Sequence, residues 1–174
     1  MNDDLEATAA GIKLLALDVD GVLTDGSIYY GNSGEELKAF NIKDGLGIKL
    51  LQRAGVTVAI ITGRSSDLLK RRASELGIDA VIQGREDKLT ALRELTAELD
   101  IALGECAYIG DDLPDLSAIR AAGVGMTVAD ANATVAAHAD WQSASAGGRG
   151  AVREACEYLL RARGALAQAE AEFL

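Results

Sequence analysis

The chain has 174 residues, of which 49% are hydrophobic and 25% charged, as is ordinary for one globular domain with a substantial core. A net charge of −10 argues against a nucleic-acid surface, and no apolar stretch approaches the length of a membrane span. The acidic N-terminus lacks the apolar run of a signal peptide, so the sequence predicts a cytoplasmic enzyme or binding domain.

Apolar runs alternate with amphipathic segments along the chain. Residues 1–11 are polar and Ala-rich, which predicts a flexible leader, and residues 164–174 form a C-terminal tail that extends the last helix or frays. The alternation predicts an α/β fold, a doubly wound parallel sheet covered on both faces, in one domain over residues 12–163. Strands are predicted at 14–17, 56–61, 80–82, 107–109 and 124–128, and helices at 44–53, 66–76, 86–99, 113–121 and about 151–163.

One segment interrupts this rhythm. Residues 26–30 and 36–40 flank Gly31-Asn32-Ser33-Gly34, which predicts a β-hairpin projecting from the domain. The hairpin carries three of the six Tyr and Phe residues of the chain. Two alternatives remain open: an association surface with exposed aromatic side chains, or a hairpin that folds back onto its own sheet.

The most informative motif follows the first predicted strand. Asp18 and Asp20 lie two residues apart at the end of Leu14-Leu15-Ala16-Leu17, and Gly21 lets the backbone turn away. Two carboxylates at a strand end suit a magnesium ion and a phosphoryl group. Asp18, already ionised at pH 7, is then the candidate nucleophile, and Asp20 the candidate acid and base that protonates the leaving alcohol and activates water.

Polar residues at other strand ends support this interpretation. Thr62 follows the second core strand, where its hydroxyl can donate to a phosphate oxygen, and Lys88 begins a predicted helix, where it can hold a phosphoryl group. Asp111 and Asp112 follow the strand that ends at Gly110, and a metal ion explains two carboxylates there; helix capping is the alternative role for Asp112. These motifs lie at the carboxyl ends of the predicted parallel strands, and open α/β sheets bind their ligands at those ends.

These motifs, in this order, resemble those of the haloacid dehalogenase superfamily of phosphatases. The resembling set is Asp18-x-Asp20-Gly21, Thr62-Gly63-Arg64, Lys88 and Gly110-Asp111-Asp112-x-x-Asp115. The resemblance implies that Asp18 forms an aspartyl-phosphate, that Asp20 is the acid and base, and that Thr62 and Lys88 bind the phosphate. It also implies that Mg²⁺ is held by Asp18, by the backbone carbonyl of Asp20 and by Asp111.

Residues 12–163 are more closely similar to the 3-deoxy-D-manno-octulosonate 8-phosphate phosphatase family. The runs that carry the similarity are Asp20 to Gly26, Phe40 to Lys49, Thr62 to Ser65 and the Gly-Gly-Arg-Gly-Ala-Val-Arg-Glu run ending at Glu154. That family releases the acid sugar Kdo for lipopolysaccharide biosynthesis. The resemblance places the substrate contacts at Asp20, Asn41, Ile42, Lys43, Asp44, Gly45, Lys49, Arg64, Arg72 and Lys88. Lys43 departs from the arginine expected there, and it loses the two-pronged fork for a carboxylate.

The spacing of the motifs excludes a separate cap domain, because the residues between Asp20 and Thr62 are accounted for by the hairpin and one helix. A capless site is open to water, so we expect a neighbouring subunit to cover it. The resemblance implies a homotetramer with sites completed by a neighbour.

Three alternatives remain. A phosphatase for a nine-carbon acid sugar phosphate is the nearest, although Glu is expected in place of Arg64 in that branch. A receiver-type signalling domain also uses clustered Asp, Thr and Lys with magnesium, but it has no acid or base at the position of Asp20. The third is a catalytically silent assembly module of the same fold.

Overall fold

The computed structural model describes residues 3–34 and 36–174. The strands are β1 (Leu14–Leu17), β2 (Tyr29–Tyr30), β3 (Glu36–Leu37), β4 (Thr57–Ile61), β5 (Ala80–Ile82), β6 (Cys106–Gly110), β7 (Val124–Thr127) and β8 (Trp141–Gln142). The helices are α1 (Asp3–Ala10), α2 (Ile42–Arg53), α3 (Asp67–Leu76), α4 (Lys88–Glu98), α5 (Leu116–Ala121), α6 (Ala133–Ala136), α7 (Ala151–Ala162) and α8 (Leu166–Ala171). None of these helices has both the length and the apolar content needed to cross a membrane.

The main sheet confirms the predicted α/β architecture. Six strands pair in parallel in the order β5-β4-β1-β6-β7-β8. The chain leaves β1 for β4 on one side and later crosses to β6 on the other, so the strand order reverses at β1. In open parallel sheets, the crevice at such a reversal is where ligands bind.

Helices cover both faces of the sheet, because alternate residues of each strand point in opposite directions. Leu15 and Leu17 of β1 pack with apolar side chains of α2, α3 and α7. Leu14 and Ala16 of the same strand pack on the other face with side chains of α4, α5 and α6. Each fully buried Leu or Ile contributes about 1.5–3 kcal/mol to the free energy of unfolding, so both layers hold the sheet in place.

The structure corrects the prediction of a flexible leader at the N-terminus. Residues 1 and 2 lie outside the described residues, but 3–10 form α1 rather than a flexible segment. Leu5 and Ala9, four residues apart and thus on one helix face, pack against the core that contains α7. Arg163 donates from Nη1 to the backbone oxygens of Ala10 at 3.2 Å and Ile12 at 2.8 Å, which fixes the end of the helix.

The C-terminal residues form a separate short helix. Gly164 adopts a left-handed conformation with φ of 69°, which interrupts the helix that precedes it. α8 then packs Leu166 and Ala169 against the same core, and Arg53 of α2 pairs with Glu172 at 2.9 Å. The domain boundaries at 12 and 163 remain predictions, because both terminal helices pack onto the sheet domain.

The hairpin forms where it was predicted. β2 and β3 pair antiparallel with Tyr29 opposite Leu37, in a two-stranded sheet of their own. The alternative in which the hairpin folds back onto the main sheet is therefore wrong. Tyr30 is 73% exposed and Leu37 63% exposed, so the hairpin presents apolar side chains to its surroundings.

Candidate active site

Three neighbouring strands deliver the predicted motifs to one edge of the sheet. Asp18 follows β1, Thr62 follows β4 and Asp111 follows β6. Because β4 and β6 flank β1 in the sheet, these side chains meet at the carboxyl ends of the central strands. The backbone N–H of Asp18 donates to the oxygen of Ile109 at 3.0 Å, which continues the β1–β6 ladder into the site.

The turn after β1 is built to admit a second carboxylate. Gly21 has φ of 98°, and a Cβ at that position would overlap the carboxylate of Asp111. The hydroxyl of Thr24 accepts from the backbone N–H of Gly21 at 3.4 Å and of Gly26 at 3.2 Å. Glycine is therefore required here both for the left-handed conformation and for the close approach of Asp111.

Lys88 joins two buried carboxylates. Asp87 caps α4 by accepting from Thr90 N–H at 3.1 Å, which fixes Lys88 at the first position of the helix. Its Nζ donates to Oδ1 of Asp18 at 2.6 Å and to Oδ1 of Asp115 at 2.8 Å, and its side chain is 5% exposed. Burial disfavours the charged amine, but the two carboxylates outweigh burial, so the pKa of Lys88 is raised and it is a cation at pH 7.

Asp115 organises the loop after β6. Its Oδ1 accepts from the Tyr108 hydroxyl at 2.8 Å, and its Oδ2 accepts from the backbone N–H groups of Asp111 at 3.2 Å and Asp112 at 3.3 Å. A Cβ at Gly110 would overlap the Asp115 side chain, so glycine lets the carboxylate fold back over the strand end. The sequence analysis included Asp115 in the motif without giving it a role.

Burial and mutual repulsion change the acidity of the site. Burial, followed by the charge of Asp115, raises the pKa of Asp18 to about 6, although Lys88 opposes the shift. Burial, followed by the charges of Asp18 and Asp115, raises the pKa of Asp111 to about 7. The three acidic groups thus carry more negative charge than the single lysine neutralises, which favours binding of a cation.

The donor set fits a hard cation. Carboxylate oxygens of Asp18, Asp111 and Asp115 lie within 4.8 Å of one another. Oδ1 of Asp111 is buried and has no hydrogen-bond partner among the described residues, so it is free to ligate. Asp115 already uses both oxygens, which favours Asp18 and Asp111 as ligands. Asp112 accepts from Leu113 N–H at 2.8 Å and caps the turn at Leu113–Asp115, which decides between its two predicted roles in favour of capping.

Asp20 lies between two cations. Nζ of Lys38, in the residue after β3, pairs with Oδ1 of Asp20, and Nε of Arg64 lies 3.9 Å from Oδ2. The predicted acid and base is thus adjacent to the predicted specificity residue Arg64. Lys38 was not predicted, because the sequence offers no local signal that links a hairpin arm to a residue 18 positions earlier.

Thr62 lies at the end of β4 and is buried. Its backbone N–H donates to Ile82 O at 2.9 Å and its backbone oxygen accepts from Arg85 N–H at 3.1 Å. The end of β4 is therefore held by the end of β5 and the loop after it. The hydroxyl oxygen accepts from Arg64 N–H at 3.3 Å. A hydroxyl that accepts from the backbone keeps its own proton available for a phosphate oxygen.

The predicted substrate residues divide by exposure. Asn41 caps α2 by accepting from Lys43 N–H at 2.8 Å, and its backbone oxygen accepts from Nη2 of Arg72 at 3.4 Å. Arg72 is thus held against the start of α2. The remaining predicted contacts with side chains exposed to solvent are Ile42, Lys43, Lys49 and Arg64.

The other two predicted contacts on α2, Asp44 and Gly45, are buried. Asp44 is 1% exposed and accepts from Arg153 N–H at 2.8 Å, so its carboxylate faces the first turn of α7 and offers no surface to a sugar. Burial raises its pKa. Gly45 is also buried, and a Cβ there would overlap the Arg72 guanidinium. Both residues thus pack inside the subunit, and their predicted contacts with substrate remain predictions.

Comparisons with known proteins agree with this geometry. A family model for haloacid dehalogenase-like hydrolases matches residues 78–155. The chain is 48% identical over 169 residues, 97% of its length, to 3-deoxy-D-manno-octulosonate 8-phosphate phosphatase of Escherichia coli K12, of which 90% is covered. It is 50% identical over 161 residues to the enzyme of the same name from Yersinia pestis, covering 92% of this chain and 86% of that one.

Solved structures give the same result. The Moraxella catarrhalis 3-deoxy-D-manno-octulosonate 8-phosphate phosphatase, solved with a magnesium ion, a phosphate ion and a KDO molecule, superposes with a TM-score of 0.98 at 49% identity over 100% of both chains. A cobalt-bound phosphatase from Haemophilus influenzae has a TM-score of 0.89 at 41% identity, covering 93% of this chain and 98% of that one. The chain belongs to the 3-deoxy-D-manno-octulosonate 8-phosphate phosphatase family of haloacid dehalogenase-like hydrolases.

Proposed function

We propose that this protein hydrolyses 3-deoxy-D-manno-octulosonate 8-phosphate to Kdo and phosphate through an aspartyl-phosphate on Asp18. The observation that carries the proposal is the buried cluster in which Lys88 holds Asp18 at 2.6 Å beside the unpartnered buried oxygen of Asp111. Such a cluster fixes a carboxylate nucleophile next to a place for a cation, as phosphoryl transfer requires.

The reaction then follows from the chain's own residues. Asp18 attacks phosphorus, the bond between phosphorus and the sugar oxygen breaks, and Asp20 gives its proton to that oxygen as the sugar leaves. Asp20 next takes a proton from water, which attacks phosphorus, breaks the bond to Asp18 and releases phosphate. Thr62 and Lys88 hold the phosphoryl oxygens and keep Asp18 oriented throughout.

Mg²⁺ is the proposed cofactor, and its contribution when bound is to neutralise charge on the phosphoryl oxygens. Asp18 and Asp111 would hold it, together with the backbone carbonyl of Asp20. The magnesium ion in the Moraxella catarrhalis structure supports the choice of ion. The fit rests on the oxygen-only donor set and on the buried Asp111 oxygen that lacks a partner among the described residues.

Recognition of the sugar is proposed to fall to the cations around the site. Arg64, which lies next to Asp20, favours the eight-carbon acid sugar over the nine-carbon alternative, because the resemblance implies a glutamate at this position in the nine-carbon branch. The remaining proposed contacts are Asn41, Ile42, Lys43, Asp44, Gly45, Lys49 and Arg72. The role in lipopolysaccharide biosynthesis and the cytoplasmic location stay predictions.

The test is magnesium-dependent phosphate release from 3-deoxy-D-manno-octulosonate 8-phosphate, with the nine-carbon acid sugar phosphate as competitor. We expect a clear preference for the eight-carbon compound and a loss of roughly 10⁴-fold in Asp18→Asn. Full activity in Asp18→Asn would refute the nucleophile. Preference for the nine-carbon compound would refute the substrate, and no turnover of any phosphate ester would favour a silent module.

A homotetramer with sites completed by a neighbour is also proposed, supported by the exposed apolar hairpin and by the exposed specificity residues. Sizing of the purified protein tests it, with Tyr30→Asp as the disrupting variant. A hot-spot aromatic residue contributes about 2 kcal/mol or more to an interface, so the substitution should weaken association roughly 30-fold or more. A fully active monomer would contradict the proposal.

A further inference from the structure

Lys38, at the end of the hairpin, places its charged amine in the candidate active site. β3 ends at Leu37, which is exposed, and the next residue, Lys38, turns to the opposite side and pairs its Nζ with Oδ1 of Asp20. The Lys38 side chain is only 4% exposed, whereas its partner Asp20 is 23% exposed. A hairpin that exposes Tyr30 and Leu37 therefore also makes a buried charged contact with the residue proposed to transfer protons.

Stability alone is a poor explanation for this pair. Removing a lysine from water is costly, and a buried ion pair seldom stabilises a fold more than apolar side chains of the same volume. A flexible lysine stem is a further cost, because its rotamers are lost on ordering. The location of the pair, on the acid and base of the proposed reaction, offers a functional reason for it.

The two oxygens of Asp20 are held unequally. Lys38 binds Oδ1 directly, but Arg64 approaches Oδ2 only to 3.9 Å, which is beyond hydrogen-bond distance. One oxygen is thus anchored, and within residues 3–34 and 36–174 the other accepts no hydrogen bond and can exchange a proton. An anchored carboxylate keeps the second oxygen aimed at the leaving oxygen and at the attacking water, which is the geometric requirement for proton transfer.

Lys38 also borders a cleft between the hairpin and α3. This cleft of about 170 Å³ is lined by Lys38, Phe40, Leu68, Arg71, Arg72 and Glu75. The same lysine therefore faces the proposed sugar-binding cation Arg72 on one side and Asp20 on the other. A role limited to binding the substrate carboxylate is the competing explanation, and it predicts a different kinetic effect.

We propose that Lys38 is a positioning residue for the acid and base: the second arm of the hairpin anchors Oδ1 of Asp20 through Lys38 and thereby sets the direction of proton transfer. The inference rests on the proposed function, since it assigns Asp20 its proton-transfer role. It also makes the hairpin part of the catalytic apparatus, because a displaced arm would release the Asp20 carboxylate.

The experiment compares Lys38→Met, which keeps the length and removes the charge, with Lys38→Arg, which keeps the charge. Each is assayed on 3-deoxy-D-manno-octulosonate 8-phosphate and on p-nitrophenyl phosphate, which has neither sugar nor carboxylate. We expect kcat of Lys38→Met to fall about 10- to 100-fold on both substrates with little change in KM, and Lys38→Arg to restore much of it. Lys70→Met, on the exposed face of α3, is the matched control and should leave both parameters unchanged.

A change confined to KM for the sugar phosphate would overturn the proposal in favour of a substrate contact, and so would unchanged kinetics in Lys38→Met. Thermal unfolding and sizing of each variant identify misfolded or dissociated protein, and Lys38→Arg then carries the test if Lys38→Met does not fold. Failure of the wild type on the sugar phosphate alone would reject the proposed substrate, while p-nitrophenyl phosphate would still report on Lys38.

Discussion

The carboxylate cluster and the start of α2 lie on the same edge of the sheet, but they differ in burial. Contacts within one chain enclose the cluster, whereas side chains of α2 remain exposed. Asp18, Lys88 and Asp115 are buried and joined at hydrogen-bond distance. Ile42, Lys43 and Lys49 are exposed. The proposed catalytic residues are thus organised within one subunit, whereas the proposed selectivity residues lie on a surface that a second molecule can cover.

Among the substitutions that compare the two regions, removal of Lys88 should have the largest effect, because the carboxylate cluster depends on its charge. Lys88→Met leaves Asp18 and Asp115 buried without their cation, so phosphate release should fall on the order of 10²- to 10³-fold. The free energy of unfolding should drop by about 3–5 kcal/mol near pH 8, and by less near pH 5. The direction follows because Lys88 opposes the rise in the pKa of Asp18 that burial and Asp115 cause. Without Lys88 the folded-state pKa rises further above the unfolded value of 3.8, so the variant loses more stability than the wild type as pH rises.

Denaturant unfolding of the wild type and Lys88→Met at both pH values measures this effect. Lys70→Met, an exposed lysine paired with Asp67 at 2.8 Å, is the control and should behave as wild type. An equal loss of stability for Lys88→Met at pH 5 and pH 8 would mean that the two carboxylates are not the groups left stranded.

Magnesium should change the pH dependence of stability in the same region. Without metal, Asp18 with a pKa of about 6 and Asp111 with a pKa of about 7 bind protons more tightly when folded, so stability should fall as pH rises from about 4 to 7. Metal binding needs the ionised groups and should therefore reverse the trend, adding about 2.7 kcal/mol at 100 times the Kd.

Thermal melts with and without MgCl₂ at pH 5.5 and pH 7.5 measure this reversal. The rise in Tm on adding magnesium should be larger at pH 7.5, and Asp111→Asn should abolish most of it. An equal rise at both pH values, or in Asp111→Asn, would place the ion elsewhere.

Neighbouring arginines on α3 test the exposed region, where effects should be smaller. Arg72 is 19% exposed and touches Asn41 at 3.4 Å, while Arg71 is 81% exposed and pairs only weakly with Glu75 at 3.3 Å. Arg72→Met should raise KM for the acid sugar phosphate roughly 10- to 100-fold, the value of one charged hydrogen bond, with kcat nearly unchanged. Arg71→Met should leave both unchanged, and equal effects of the two would remove the distinction between them.

The same contrast explains which features could be predicted from sequence. The sequence predicted both ends of five strands to within one residue, because buried parallel strands are nearly continuous apolar runs. These strands are β1, β4, β5, β6 and β7. α1 was missed because Leu5 and Ala9 are sparse among polar residues and gain their meaning only from packing on α7. β8 was missed because it contains only Trp141 and Gln142, and two residues are too few to show an alternation of apolar and polar side chains.

Site residues followed the same division. Asp18, Thr62 and Asp111 were predictable because strand ends converge in a parallel sheet. Lys38 and the anchoring role of Asp115 depend on turns and side-chain directions that no periodicity encodes. The inward direction of the Asp44 carboxylate was not predictable either, because its partner Arg153 lies 109 positions later in the chain.

The glycines near residue 147 have a consequence for the newly made chain. A Cβ at Gly147 would overlap the backbone oxygen of Gly21, and Gly148 N–H donates to Val22 O at 2.9 Å, so the turn after the nucleophile leans on backbone made 126 residues later. A nascent chain that extends only to Asp111 therefore contains all the proposed catalytic side chains. It still lacks the glycines that pack against the turn after Asp18. The turn should therefore reach its final conformation only after this late glycine run has been synthesised.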